Sequence, residues 1–491
     1  MITERNQACD LVIFGAKGDL SKRKLLPALY KLEKLNKIDK NTRIIAAGRA
    51  NWNIQEYIKI AKTAIKTFLN EELNNIVWKK FSSRLYFCNI DVHEKLHFFR
   101  LKNILNQQKN IAIYYCAVPP DTLSSIFEGL KHANLNLISS RIVLEKPLGI
   151  CLKTSKQINN QISKYFLESQ IFRIDHYLGK ESILNLFALR FANSCLFNNW
   201  NNHTIDHVQI TVSEEVGIED RWNYFNKMGQ MKDMVQNHLL QILTIITMKK
   251  PKTITSKNIK NEKLKILRSL VPININNAHQ NTVRGQYSSG QINGKNTCSY
   301  LEENPKKEKS DTETFVALKI NINNKEWSGV PFYLRTGKRL AKKYSEIVIF
   351  FKKNPINLFK SSNLKNFQNK LIIRLEPHEN ITFDFLNKKI GLDQEYQLEK
   401  NKLEFVHVFN ENPKIFIDAY ERLLLESMRG IQALFVSREE IEASWKWVDP
   451  IVQAWKKNQE NIIELYPCGT FGPKKSDFLI NQDDRFWNQF N

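Results

Sequence analysis

Leu11-Val12-Ile13-Phe14-Gly15-Ala16-Lys17-Gly18-Asp19-Leu20 opens the legible part of the chain. Four apolar residues in unbroken succession, ending at a glycine, read as a strand buried on both faces. Lys24 to Leu35 then carries an apolar stripe at helical spacing through Leu25, Leu29 and Leu32. Strand, tight glycine turn and helix together form the setting in which a dinucleotide is held. A missing side chain lets a pyrophosphate approach the N–H groups at the helix start. Gly15, Ala16, Lys17, Gly18, Asp19 and Leu20 are therefore the candidate phosphate loop. The spacing is G-x-x-G rather than G-x-G-x-x-G, so the pattern by itself also fits an ordinary turn.

The next segments extend the same theme. Arg43 to Ala47 reads as a second strand ending in Gly48-Arg49. An acidic residue at that place would bond the ribose 2′-hydroxyl of NAD, whereas an arginine suits a 2′-phosphate. Arg49 points to NADP, and Lys17 pushes the same way. Further strands are expected at Leu85 to Cys88, Ile111 to Val118 and Arg141 to Leu144, with helices near Ile54 to Leu69, His93 to Gln107 and Asp121 to Ala133. Such alternation predicts a doubly wound parallel sheet of Rossmann-like type. Glu145-Lys146-Pro147-Leu148-Gly149 closes this half. A lysine at the carboxyl end of a late strand can reach both cofactor and substrate, or it can be a solvated turn lysine. E-K-P occurs in sugar oxidoreductases.

Beyond residue 174 the texture changes. Ile205 to Val212 alternates in the manner of an antiparallel strand with one covered face, and Val316 to Ile320, Ile347 to Phe351, Leu371 to Leu375 and Ile381 to Phe385 look alike. The fold class expected is α/β plus α+β: an N-terminal Rossmann-like doubly wound parallel sheet, then a larger domain with a mainly antiparallel sheet and helices. Residues 1–174 would form the nucleotide-binding domain and 175–491 the second domain. Pro251 to Lys309, rich in Asn, Lys and Gly, reads as long connection plus one helix, Ile259 to Leu270. Gly229 to Met248 reads as a helix whose apolar stripe holds Met231, Met234, Val235, His238, Ile242 and Ile245. A histidine there fits a satisfied core residue as well as a base. Asp233 would lie about 140° from it around a regular helix, so any carboxylate partner must come from elsewhere.

Composition narrows the function classes. Of 491 residues, 42% are hydrophobic and 25% charged, as in globular chains. Seven scattered cysteines with no C-x-x-C argue against a disulfide framework or a structural zinc, and no metal is expected. Met1 to Gln7 lacks the apolar core of a signal peptide, and no apolar run reaches membrane-spanning length, so a cytoplasmic protein with no membrane partner is expected. The formal charge of +23 comes from lysines spread along the chain, not gathered into an arm with interleaved aromatics. No nucleic-acid partner is expected; the positive field favours small polyanions.

Phe172-Arg173-Ile174-Asp175-His176-Tyr177-Leu178-Gly179-Lys180-Glu181 packs a carboxylate, an imidazole, a phenol and an ammonium before the apolar run Ile183 to Phe191. If a helix begins near Tyr177, its first turn suits a phosphate monoester; a charged helix start closed by a salt bridge fits the same residues. RIDHYLGKE resembles the active-site signature of the glucose-6-phosphate dehydrogenase family. GAKGDLSKRKLLPALY is similar to that family's nucleotide-binding opening, though many members carry Ser or Thr where Lys17 stands. EKPLG resembles its E-K-P-aromatic-G element, with Leu148 in place of the aromatic. MKDMVQNHLLQIL resembles its D-x-x-Q-N-H segment, and Arg335 to Lys343 its R-x-G-K element. The resemblance runs from about Leu11 to about Pro473.

It implies NADP-dependent oxidation of glucose 6-phosphate at C1 to the lactone. It implies His238 as general base, with Asp175 fixing its tautomer; His176, Tyr177 and Lys180 on the 6-phosphate; and Glu214, Asp233, Lys338 and Lys343 on the sugar. It further implies Arg49, Asp91 and Val92 at the adenosine half of the cofactor, Lys146 near the nicotinamide and substrate, and a homodimer or homotetramer. The alternative is another E-K-P-type oxidoreductase acting on an unphosphorylated sugar.

Overall fold

The computed structural model describes residues 7–69, 71–105, 109–306, 308–353, 364, 367–391, 397–405, 418–457 and 462–489. Met1 to Asn6, and with them most of the N-terminal stretch read above, lie outside this set. The chain forms two compact units, each drawn from three stretches. Met1–Glu181, Pro251–Asn261 and Ile417–Glu442 make the first; Ser182–Lys250, Glu262–Phe416 and Ala443–Asn491 make the second.

The first unit is built on β1 (Cys9–Phe14), β2 (Arg43–Gly48), β3 (Leu85–Asn89), β4 (Ile111–Cys116), β5 (Arg141–Leu144) and β6 (Ile171–Ile174), in the order β6-β5-β4-β1-β2-β3. All five of these pairings are parallel, and a two-residue strand, Phe435–Val436, joins β6 antiparallel. The order reverses at β1, which makes the ends of β1 and β4 the switch point of a doubly wound sheet. The alternation of side chains along a strand divides the unit into two cores. Leu11, Ile13, Ala46 and Tyr115 face Leu25, Leu29 and Tyr57 on one side. Val12, Phe14, Ile45 and Tyr114 face Phe98, Leu101, Ile126 and Phe127 on the other. Continuous apolar runs were needed here because both faces are covered.

Two local expectations are corrected. Helix begins at Asp19, not Lys24, with a π-helical turn, Ser21–Leu25, leading into Leu26–Lys34. In place of a helix over His93 to Gln107, a 3₁₀ turn, Lys95–His97, precedes the helix Phe98–Ile104; Asn106 and Gln107 lie outside the described residues. The helix Ala419–Arg429, far away in sequence, completes the first core with Leu423, Leu424 and Met428. Arg141 closes the carboxyl end of that helix by donating to the carbonyls of Ser427 at 3.0 Å and Met428 at 2.6 Å.

The second unit holds β7 (Ile205–Ser213), β8 (Thr282–Ser288), a small hairpin of β9 (Gly290–Ile292) and β10 (Lys295–Thr297), then β11 (Phe315–Ile320), β12 (Phe332–Gly337), β13 (Tyr344–Phe351), β14 (Lys370–Glu376), β15 (Asn380–Lys388) and β16 (Leu398–Phe405). Its nine-stranded sheet runs β16-β15-β14-β13-β7-β12-β11-β8 and ends on Glu464–Pro467. β7 with β12, and β8 with Glu464–Pro467, pair parallel; the other contacts are antiparallel. The stretch from Pro251 to Lys309 is therefore more than connection with one helix. Besides the helix Ser256–Ser269 it supplies β8, a strand of the large sheet, and the β9–β10 hairpin. Thr282-Val283-Arg284-Gly285-Gln286-Tyr287 sets a hydroxyl, a guanidinium and an amide around one aliphatic, Val283, so its strand character comes from pairing with β11 on one side and Glu464–Pro467 on the other.

The expected helix Gly229 to Met248 is broken at its first residue. Gly229 has φ +68° and ends the helix Trp222–Gln230; a π-helical segment, Met231–Leu239, follows, then the α-helix Leu240–Thr247. Hydrogen bonds in a π-helix run i→i+5. Asp233 and His238, five apart, are thus on successive turns of one face, and the regular-helix angle of about 140° does not apply. Among the described residues, no helix is long and apolar enough to cross a membrane.

Candidate active site

In the first unit the loops after β1, β2, β3, β5 and β6 emerge at one edge of the sheet, the carboxyl ends of its parallel strands. Gly15 turns the chain at φ +93°, and a Cβ there would stand 2.2 Å from the Ala117 carbonyl oxygen after β4. Only glycine fits between these two crossing backbones. The N–H groups of Gly15 and Ala16 both donate to the Ala47 carbonyl, at 3.1 and 3.3 Å, and Gly18 N–H donates to Gly15 at 2.9 Å. The Ser21 hydroxyl closes on the same Gly15 carbonyl at 2.9 Å. Lys17 and Asp19 are exposed, Ala16 is buried, and Leu20 packs on the core. This is a tight, side-chain-poor loop running into a helix, the shape a pyrophosphate requires.

Arg49 stands exposed just beyond β2. Asp91 and Val92 follow β3. The Asp91 carboxylate accepts the His93 N–H at 3.1 Å, while its own N–H donates to His97 Nδ1 at 3.2 Å; Val92 leans on the core. Lys146 follows β5 and is half-buried beside Glu145. Tyr115 donates its hydroxyl to Glu145 at 2.5 Å. Burial pushes the Glu145 carboxyl up to about 7, with the Tyr115 bond and Lys146 pulling it down and Asp175 pushing it up. That Tyr115–Glu145 pair escaped the sequence reading, since nothing in the β4 run marks one tyrosine over its neighbour.

Asp175 ends β6 and is 2% exposed. Its carboxylate accepts the Tyr177 N–H at 3.0 Å and caps a 3₁₀ turn, His176–Gly179. The long helix starts only at Glu181, not near Tyr177. Lys180 is extended at the junction, and Gly179 packs so closely on Ala419 that a Cβ would lie 2.8 Å from the Ala419 carbonyl oxygen. The polar groups thus sit on a separate turn in front of the helix. His176 and Tyr177 have ring centroids 4.9 Å apart, Lys180 Nζ lies 4.5 Å from the Tyr177 centroid, and Tyr420 stacks parallel to His176 at 6.4 Å. An imidazole, a phenol and an ammonium are gathered within one turn, a set of donors suited to an anionic oxygen cluster. Glu181 pairs with Arg422.

The second unit gathers the other candidates around the ends of β7 and β12. Glu214 follows β7, and Lys338 follows β12, its parallel neighbour. Lys338 is 1% exposed and its ammonium meets Glu214 at 2.8 Å, with the Phe225 ring 5.4 Å away. Asp233 is buried and accepts the Tyr224 hydroxyl at 3.2 Å. Neighbouring residues of one helix, Tyr224 and Phe225, therefore brace Asp233 and Lys338 respectively. His238 is wholly buried on the π-helical segment. Lys343 differs: its side chain is mostly exposed and its ammonium stands 3.8 Å from Glu376.

Residues 12–185 match the glucose-6-phosphate dehydrogenase NAD binding domain and residues 187–488 match the glucose-6-phosphate dehydrogenase C-terminal domain. The chain belongs to the glucose-6-phosphate dehydrogenase family. It is 69% identical over 490 residues to glucose-6-phosphate 1-dehydrogenase of Buchnera aphidicola subsp. Acyrthosiphon pisum, covering all of both chains. It is 54% identical to that of Dickeya dadantii, covering 99% of each. Among solved structures, a glucose-6-phosphate dehydrogenase in complex with its substrate glucose-6-phosphate superposes with a TM-score of 0.89 at 30% identity over the full length of both chains. The glucose-6-phosphate 1-dehydrogenase of Mycobacterium avium follows at 0.83 and 29%, covering 98% of this chain and 99% of that one. As a member of the glucose-6-phosphate dehydrogenase family the chain is an oxidoreductase with a nicotinamide-nucleotide domain of Rossmann type.

Proposed function

We propose that the chain oxidises the C1 hydroxyl of glucose 6-phosphate to the 1,5-lactone with NADP as acceptor. The observation that carries this reading is the run Arg173 to Glu181 on a chain both of whose halves match the family. When bound, NADP supplies the hydride acceptor. Its choice over NAD is supported by Arg49, exposed beyond β2 where an acidic side chain would select a free 2′-hydroxyl. The loop Gly15 to Leu20 holds the pyrophosphate, Asp91 and Val92 border the adenosine, and Lys146 serves the nicotinamide and the sugar.

Loss of hydride from C1 requires the hydroxyl proton to depart in the same event. His238 takes that proton, and Asp175 fixes the tautomer and stabilises the imidazolium. His176, Tyr177 and Lys180 hold the 6-phosphate. Glu214, Asp233, Lys338 and Lys343 orient the sugar, since hydride transfer needs near-contact geometry. Nucleotide binding falls to residues 1–174, and substrate binding and oligomerisation to 175–491. The enzyme works in the cytoplasm as a homodimer or homotetramer.

The test follows reduced-nicotinamide absorbance with purified protein, NADP or NAD, and glucose 6-phosphate or free glucose. Turnover is expected with the phosphorylated sugar and NADP; equal use of free glucose would refute the phosphate site. His238→Asn should retain sugar-phosphate binding and lose roughly 100-fold or more in kcat, and near-normal turnover removes His238 from its role.

A further inference from the structure

Glu313 lies just before β11, and no resemblance or motif drew attention to it. The residue is 9% exposed, and its carboxyl sits against the break in the helix pair that precedes His238. Gly229 leaves the helical region at φ +68°, and a Cβ on it would be 2.3 Å from Glu313 Oε1. The chain then restarts with two N–H groups that no earlier turn can serve. Gln230 N–H donates to the Glu313 carbonyl at 2.9 Å, and Met231 N–H donates to Glu313 Oε1 at 3.1 Å. One residue just ahead of β11 thus holds the start of the π-helical segment that bears Asp233 and His238.

The next residue serves the other side of the site. The Thr314 carbonyl accepts the Lys338 N–H at 3.0 Å. The Thr314 hydroxyl takes the Tyr287 N–H at 3.0 Å and lies 2.8 Å from the Tyr466 hydroxyl, which itself donates to the Lys338 carbonyl at 2.8 Å. Gln230 adds a direct tie, its side-chain amide donating to the Thr336 hydroxyl on β12 at 2.8 Å. The backbone of Lys338 and the start of the His238 segment are therefore bolted to two consecutive residues.

We infer that Glu313 is a positioning residue, whose carboxylate sets the helix start so that His238 and Asp233 stand at a fixed place relative to the Thr314-bound Lys338. This rests on the roles given to His238, Asp233 and Lys338 above. Glu313 acts through the segment it anchors. A small displacement of a base costs far more rate than stability, because effective concentration depends steeply on geometry.

Two variants and two readouts test it. Glu313→Ala removes the acceptor; Glu313→Gln keeps an oxygen in the same place without the charge. In Glu313→Ala, amide hydrogen exchange over Met231–Leu239 should quicken at least roughly 10-fold, as the freed N–H opens the first turn. The kcat/KM for glucose 6-phosphate should fall roughly 10- to 100-fold, while the NADP dissociation constant, by calorimetric titration, stays within about twofold. Glu313→Gln should recover both to within about threefold of the parent. Unchanged exchange in Glu313→Ala overturns the anchoring whatever the activity. An active parent whose alanine variant keeps kcat/KM within about twofold overturns the positioning role, and so does a folded glutamine variant no better than alanine. A parent that binds NADP but leaves glucose 6-phosphate untouched defeats the functional reading instead, and exchange alone then decides the anchor.

Discussion

Lys338 shows what a single residue contributes here. A lysine with 1% exposure meets Glu214 at 2.8 Å, and Glu214 retains a quarter of its side chain in solvent. Solvent at one partner weakens the pair as a source of stability, which leaves orientation as its main use. Lys338→Met keeps the volume and removes the charge. It should raise KM for the sugar phosphate and lower kcat/KM by roughly 10- to 100-fold, about 1.4–2.8 kcal/mol, as measured by initial rates. The titration of two buried acids is a second prediction at this scale. Burial pushes Glu145 up to about 7 and Glu421 likewise to about 7, the latter opposed by Lys31. Both groups keep a proton in the fold that the unfolded chain releases above about pH 4.3. Their contribution to stability is therefore complete below that pH, declines as pH rises towards 7, and is gone above it. Calorimetric Tm should be a few degrees higher at pH 5.5 than at pH 8, and Glu145→Gln with Glu421→Gln should flatten that slope. A double variant with the parent's slope counts against the assignment.

At the scale of elements, the two loops that matter are set by backbone crossings. Gly15 occupies the left-handed region with the Ala117 carbonyl beside it. Gly15→Ala meets a cost of about 1–2 kcal/mol for the conformation alone, and the contact with Ala117 adds to it. Thermal unfolding should fall by several degrees and NADP affinity by roughly 10-fold or more, and an unaltered titration isotherm would show that the loop does not bear the pyrophosphate. The π-helical winding of Met231–Leu239 is the second case. A repeat of five in place of four carries Asp233 and His238 onto one face, and the break at Gly229 lets the segment start on Glu313. No periodicity in Met-Lys-Asp-Met-Val-Gln-Asn-His distinguishes that winding from an α-helix. The pattern of apolar residues is broad enough for both.

For the whole molecule, charge acts without regard to fold. A formal +23 carried by dispersed lysines gives the molecule as a whole a positive charge that attracts small polyanions. At about 0.1 M salt such a field is screened within about 10 Å. Raising potassium chloride from about 0.02 to 0.5 M should lower kcat/KM for the doubly charged sugar phosphate several-fold through slower encounter, with kcat nearly constant; an indifferent kcat/KM would mean that the lysines do not steer. The parallel sheet was readable because burial on both faces demands unbroken apolar runs such as Leu11 to Phe14 and Ile111 to Cys116, and local composition carries that demand. β8 was not, because Thr282 to Ser288 owes its strand to partners more than 20 residues away. The same limit hid the helix Ala419–Arg429 in the first core and the Tyr420 ring on His176. The sequence by itself determined the fold class, the glycine loop, the arginine beyond β2 and the residue types of the site, since each is a property of neighbours along the chain. Only the tertiary structure decided where the helical turns at Asp175 and Gly229 start, that Lys338 meets Glu214, and that Glu313 accepts the Met231 N–H. Those depend on hydrogen-bonding groups left over at element ends: Asp175 caps its own turn, whereas Lys338 and the restart after Gly229 are met by residues distant in sequence.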